Sequence, residues 1–162
     1  MLELETLVEK TPCTIPIPER KKQVLVVDDK EENRYVLKNF FKLFGINSGI
    51  EIVEAASGDE AVAKAREENP DLIIMDVKME TDYAGLDATR AIRASEVIAS
   101  TPIWALTSQA MESHDDEESD REKCMKAGCN QYIPKPFDQV VLIQKVSRLL
   151  GIEIPKKTKM RM

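Results

Sequence analysis

No long hydrophobic run exists in this chain. Its apolar stretches, such as Leu72-Ile73-Ile74-Met75, are a few residues long, against roughly 20 for a helix that crosses a bilayer. A membrane-spanning helix is therefore excluded. The opening Met-Leu-Glu-Leu-Glu places no basic stretch ahead of an apolar one, so no secretory signal is expected. Cysteine is scarce: Cys13, Cys124 and Cys129 are an odd set without a CxxC pair, which predicts free thiols in a reducing cytoplasm. Cys124 and Cys129, five positions apart, are expected to be small packing residues that do not meet. The six glycines never gather into a phosphate-cradling loop at a strand-to-helix turn, which argues against a nucleotide-binding module. The single histidine, His114, lies in an acidic stretch and is expected to be a solvated loop residue rather than a metal ligand or phosphodonor.

Positive charge is missing where nucleic acid would need it. Residues 1–22 carry four acids and four bases, and residues 151–162 one acid against four bases, so within a net charge of −6 the remaining 128 residues hold −9. Phosphate contact requires a basic face, so nucleic acid is not an expected partner. At 162 residues the chain has room for one domain with a substantial core.

The segment to Lys22 contains Pro12, Pro16 and Pro18 and reads as an extended arm, with Leu4, Leu7 and Val8 on one short amphipathic turn. From Gln23 a rhythm begins. Val24-Leu25-Val26-Val27 is a strand buried on both faces. Val36, Leu37, Phe40, Phe41 and Phe44 then recur at helical spacing before Gly45. The alternation repeats. Strands are predicted at 50–55, 72–75, 103–106 and 131–133, and helices from Gly58 to Glu68, from Leu86 to Ala94, ahead of Gly128, and from Asp138 to Gly151. Ser57-x-x-Glu60 and Ser119-x-x-Glu122 are capping boxes. Five strands alternating with five helices imply an α/β fold with a parallel sheet covered on both faces. The expected organisation is an arm at 1–22, a domain at 23–151 and a basic tail at 152–162.

Ligands of such sheets bind outside the carboxyl ends of the strands. The first strand ends in Asp28-Asp29, the third in Asp76, the fourth in Thr107-Ser108, and the fifth leads to Lys135. Three carboxylates on one rim repel one another unless a cation sits among them, and Mg²⁺, a hard ion with oxygen ligands, fits. A lysine and a hydroxyl beside them suit a phosphoryl group, with a carboxylate as nucleophile. Taken singly, each has a plain structural reading: Asp29 as a helix cap, Thr107 as a loop hydroxyl, Lys135 as a surface lysine.

Four segments carry a family resemblance: Val26-Val27-Asp28-Asp29, Met75-Asp76-Val77-Lys78-Met79, Ala105-Leu106-Thr107, and Tyr132-Ile133-Pro134-Lys135-Pro136-Phe137. Over about residues 23–150 the chain resembles response-regulator receiver domains of two-component signalling. Asn33-Arg34, Gly85-Leu86-Asp87-Ala88-Thr89-Arg90 and Asp120-Arg121-Glu122-Lys123-Cys124 lean toward the receivers of hybrid kinases and phosphorelays. The resemblance implies a flavodoxin-like and chemotaxis-regulator-like sheet of strand order 2-1-3-4-5. It implies Asp76 as phosphoacceptor, and Mg²⁺ held by Asp28, Asp29, Asp76 and the backbone carbonyl of Lys78. Lys135 and Thr107 would contact the phosphoryl group, the Lys135–Pro136 peptide would be cis, and Tyr132 would be the switch aromatic. The implied donor is a sensor histidine kinase or a histidine phosphotransfer protein. The output would be docking to an unidentified downstream protein through the fourth helix, fifth strand and fifth helix, with a homodimer as another option.

Two departures stand out. Met79-Glu80 replaces the family's Met-Pro, with one extra residue between Asp76 and Gly85, and residues 112–119 look like an acidic insertion. Only 11 residues follow Gly151, so no output domain is expected from this sequence. The competing class is a Mg²⁺-dependent aspartate-nucleophile phosphohydrolase of the haloacid-dehalogenase type. That chemistry calls for a second aspartate two residues after the first, where Lys78 stands, so a signalling module rather than an enzyme is expected.

Overall fold

The structure, a computed structural model, describes residues 21–46, 49–81, 83–108 and 119–154. Residues 1–20 of the arm, with Cys13, residues 112–118 of the insertion, with His114, and the basic residues of the tail lie outside the described residues, while Lys22, expected in the arm, opens the first strand. Five strands, β1 (Lys22–Val27), β2 (Ile50–Ala55), β3 (Leu72–Asp76), β4 (Ile103–Ser108) and β5 (Gln131–Lys135), alternate with five helices: α1 (Glu31–Leu43), α2 (Gly58–Glu68), α3 (Ala84–Arg93), α4 (Asp120–Ala127) and α5 (Gln139–Leu150). All strand pairings are parallel, and the order is β2-β1-β3-β4-β5.

The period of two along each strand divides the interior into two cores. Leu25, Val27, Ile73, Met75, Ile103 and Ala105 face one side, against Ala61 and Ala65 of α2, Leu86 and Ile92 of α3, and Cys124 and Ala127 of α4. Val24, Val26, Leu72, Ile74, Trp104 and Leu106 face the other, against Leu37 and Phe41 of α1 and Leu142, Ile143 and Val146 of α5. This explains why β1 and β3 read as unbroken apolar runs: they are buried on both faces. The same parity extends to the strand ends. It directs Asp76, two residues beyond Ile74, toward the α1/α5 side, and Thr107, two beyond Ala105, toward the α2–α4 side.

Element ends follow local chemistry. Ser57 Oγ accepts the Glu60 N–H at 3.1 Å, and the Glu60 carboxylate accepts from Ala56 N, one residue further back than a standard capping box. Ser119 Oγ accepts the Glu122 N–H, and Asp138 Oδ1 accepts those of Val140 and Val141. Helix α1 begins after Lys30 without a side-chain cap, so the capping role weighed for Asp29 is not used. Strand β5 runs two residues past the predicted Ile133, through Pro134. It is the outermost strand, where a missing N–H can face away from the ladder.

The expectation that Cys124 and Cys129 do not meet is overturned. Gly128 closes α4 at φ +113, its N–H donates to Met125 O, and the Cys129 N–H donates to Cys124 O at 3.0 Å. These are the two bonds of a Schellman motif, whose first and last residues touch through their side chains. The two thiols are buried neighbours in the same core cluster, each shifting the other's titration.

Candidate functional site

The carboxyl ends of β1 and β3 and the end of β5 open into a cleft of about 410 Å³. Asp28, Asp29, Asp76 and Lys135 line its polar part, and Val36, Leu37, Leu106 and Phe137 its apolar part. One carboxylate oxygen from each of Asp28, Asp29 and Asp76 lies within 4.8 Å of the others. The Lys135 ammonium stands 3.6 Å from Asp28 Oδ2 and 3.7 Å from Asp76 Oδ1. The strand-end residues thus come together as the alternation requires, because β1 and β3 are neighbours and Lys135 extends from β5 toward them. Lys78 also lines the cleft, in the loop after β3.

Burial decides the electrostatics. Asp76 is 6 % exposed. Desolvation is the main cause that pushes its carboxyl up to about 6; Lys135 opposes the shift, and the negative charges of Asp28 and Asp29 add to it. A carboxylate held under such strain is stabilised by a nearby cation. Three converging hard oxygens, an exposed Asp29 and open cleft volume fit a divalent ion such as Mg²⁺.

Asp28 is fixed by residues whose part in the site went unread in the sequence. Its Oδ1 accepts the Lys30 N–H at 2.9 Å, its Oδ2 accepts the Asn33 side-chain amide at 3.0 Å, and its backbone carbonyl accepts from Arg34 at 2.7 Å. Arg34 is itself held by Glu54 of β2, which also pairs with Lys38. The signal was available: Asn33 and Arg34 fall on the first turn of the helix that follows the acidic pair.

The loop after β3 is anchored across to α2. Glu80 Oε1 accepts the N–H of Gly58 at 2.9 Å and so caps the start of that helix. Gly85 N–H donates to Val77 O, and a Cβ at Gly85 would stand 2.1 Å from the carbonyl oxygen of Asp76. Only glycine permits α3 to approach β3 this closely.

Thr107 departs from the rest. It is 2 % exposed and absent from the cleft lining, and its Oγ1 has no hydrogen-bond partner among the described residues. An unpaired buried hydroxyl costs about 1–3 kcal/mol. Tyr132, registered against Ala105 while Thr107 is registered against Pro134, packs half-buried on the same face of the sheet. The Lys135–Pro136 peptide is cis.

Comparison with known proteins agrees with this geometry. Residues 24–147 match the model of the response regulator receiver domain. The polar-differentiation response regulator DivK of Brucella ovis is 32% identical over 130 residues, covering 80% of this chain and 97% of that protein. The receiver domain of a sensor histidine kinase from Pseudomonas aeruginosa, solved with a magnesium ion coordinated in its active-site cleft, superposes with a TM-score of 0.67 at 32% identity, covering 82% of this chain and 99% of that one. The chemotaxis response regulator CheY4 of Vibrio cholerae gives 0.65 at 29% identity over 81% of this chain and 100% of its own. The acidic rim, its lysine and the sheet that carries them have their counterpart in one family, and this chain belongs to the response-regulator receiver domains.

Proposed function

We propose that this receiver takes a phosphoryl group onto Asp76 from the phosphohistidine of a sensor histidine kinase or a histidine phosphotransfer protein. The observation that carries the reading is one buried carboxylate, raised in pKa by desolvation, facing both a lysine and two further carboxylates. Asp28, Asp29, Asp76 and the Lys78 carbonyl would hold Mg²⁺, which when bound supplies positive charge against the phosphoryl oxygens. An Asp76 carboxylate oxygen attacks phosphorus as the bond to the histidine nitrogen breaks. Lys135 neutralises charge on the transferring group, and its ammonium exchanges part of its carboxylate pairing for a phosphoryl oxygen.

Thr107 supplies the response. Its unpaired hydroxyl gains a partner when it turns toward a phosphoryl oxygen, and Tyr132 on the same face follows the space it vacates. The signal leaves as altered docking to a downstream protein rather than as turnover of an external substrate. Family members are signalling proteins, and slow loss of the phosphoryl group to water is the only further reaction this reading assigns.

The test is intact-mass analysis after incubation with acetyl phosphate. One phosphoryl group should appear on the wild type with Mg²⁺ present, and none with a chelator or in Asp76→Asn. Equal labelling of wild type and variant would refute the assignment.

A further inference from the structure

Among the described residues, two thiols at the end of α4 are nucleophilic groups this function does not use. We propose that Cys124 and Cys129 are a redox-sensitive dithiol, which a hydroperoxide converts into an intramolecular disulfide stapling the last turn of α4 to the start of β5.

Geometry carries the reach. The 3.0 Å hydrogen bond from Cys129 N to Cys124 O, with ordinary backbone bond lengths, holds the two Cα atoms within about 7 Å. Disulfides span about 4.4–6.8 Å between Cα atoms. The Schellman closure turns both side chains to the same side, and both sulfurs are buried in the same core cluster. Little backbone movement therefore separates the dithiol from the disulfide.

The surroundings make the two sulfurs unequal. Cys129 is held below the usual thiol range, first by the Cys124 thiol beside it, with burial opposing, and then by the positive charges of Arg93 and Arg90. Thr89 Oγ1 lies 3.9 Å from Cys129 Sγ. Cys124 is pushed up, first by the Cys129 thiol beside it, then by burial and by the negative charges of Cys129 and Asp120. Cys129 is thus the attacking sulfur and Cys124 the resolving one.

The reaction balances. The Cys129 thiolate attacks one peroxide oxygen, the O–O bond breaks, and after protonation one water leaves, with the sulfur oxidised to a sulfenic acid. The Cys124 sulfur then attacks Cys129 Sγ, the S–S bond forms, and the hydroxyl departs as a second water with the Cys124 proton. One hydrogen peroxide and two thiols give one disulfide and two waters. Both thiols are buried, so the reagent enters as the last turn of this eight-residue helix frays.

The staple closes a junction that is already tied. Arg93 of α3 donates to Gly128 O at 2.9 Å and to Asn130 Oδ1 at 2.8 Å, and the same oxygen accepts the Ile103 N–H of β4. A covalent bond here would stiffen the α4–β5 turn, three residues before Tyr132.

The experiment uses the full chain carrying Cys13→Ser, treated with hydrogen peroxide and then denatured in N-ethylmaleimide. Peptide mapping should find Cys124 and Cys129 joined, with two hydrogens lost and neither thiol alkylated, and dithiothreitol should restore both. The additional substitution Cys124→Ser should instead leave a sulfenic acid on Cys129 that dimedone traps. Full alkylation of both thiols after a peroxide dose that oxidises free glutathione would overturn the proposal, as would a disulfide only between chains. If Cys124→Ser fails to fold by circular dichroism, the mapping of the protein with both thiols decides alone.

Discussion

Asp76 is placed where its charge is least welcome, and its titration has a measurable consequence. The folded-state value of about 6 lies above the ordinary aspartate value of 3.8, so between these limits the native state binds more protons than the unfolded chain. Stability from this group is therefore full below pH 4 and is lost as pH rises through 6. At 1.36 kcal/mol per unit the loss is about 3 kcal/mol. Without metal, Asp76→Asn should accordingly raise the melting temperature at pH 7, and the gain should vanish near pH 4; thermal melts across that range check it. Asn33 acts on the neighbouring carboxylate. Its loss frees Asp28 Oδ2 from one of its donors, and outer partners of a metal ligand are worth about 10–100-fold in affinity. Asn33→Ala should weaken Mg²⁺ binding by about 10-fold in calorimetry, and unchanged affinity would show that Lys30, Arg34 and Lys135 orient Asp28 without it. At this scale the sequence was legible where side-chain direction follows from strand parity, as for Asp28, Asp76 and Lys135. Asn33 was less legible because its reach depends on where α1 begins. The cysteine pair was misread because sequence distance was weighed without the turn that Gly128 imposes.

Elements were legible through their punctuation. Strand β2 and helix α2 follow from apolar runs, Ser57 and Pro70 and have the expected bounds, while β1 starts at Lys22, two residues before the expected Val24. Helix α3 was harder to place, because it starts at Ala84 without a side-chain cap and is positioned by what lies beneath it. That constraint is Gly85. A methyl group 2.1 Å from the Asp76 carbonyl oxygen cannot be accommodated without moving α3 or β3. Gly85→Ala should cost about 3 kcal/mol by overpacking and also slow phosphoryl acceptance, since the displaced strand end is the one that bears Asp76. Chemical denaturation and mass labelling read the two effects separately. Glu80, which the family resemblance marked only as a departure, has a physical role as the cap of α2. Sequence alone could not show this, because the helix it caps begins 22 residues earlier.

The whole molecule is a sheet between two cores, and the same five strands serve both. Damage to one core should therefore be felt by all of it. Phe41, fully buried between α1 and the sheet, should cost about 3–5 kcal/mol when truncated to alanine. The variant should still unfold in a single transition when the α1 and α4 sides are monitored separately by hydrogen exchange; a separate early transition would mean that the cores are independent. The topology was legible from the strict alternation of strands and helices. The role of the segment after Gly151 was not: Ile152 lies within 4 Å of where a Cβ at Gly49 would stand, and both Ile152 and Ile154 pack on the α1/α5 core. One further consequence concerns the open margin of the sheet. Pro134 sits in the outermost strand and offers no backbone donor, so a foreign strand laid alongside β5 would find its hydrogen-bond ladder interrupted midway. A protein that recognises this margin must read side chains and shape, and chains of this receiver crowded together are protected there from zipping edge to edge into fibrils.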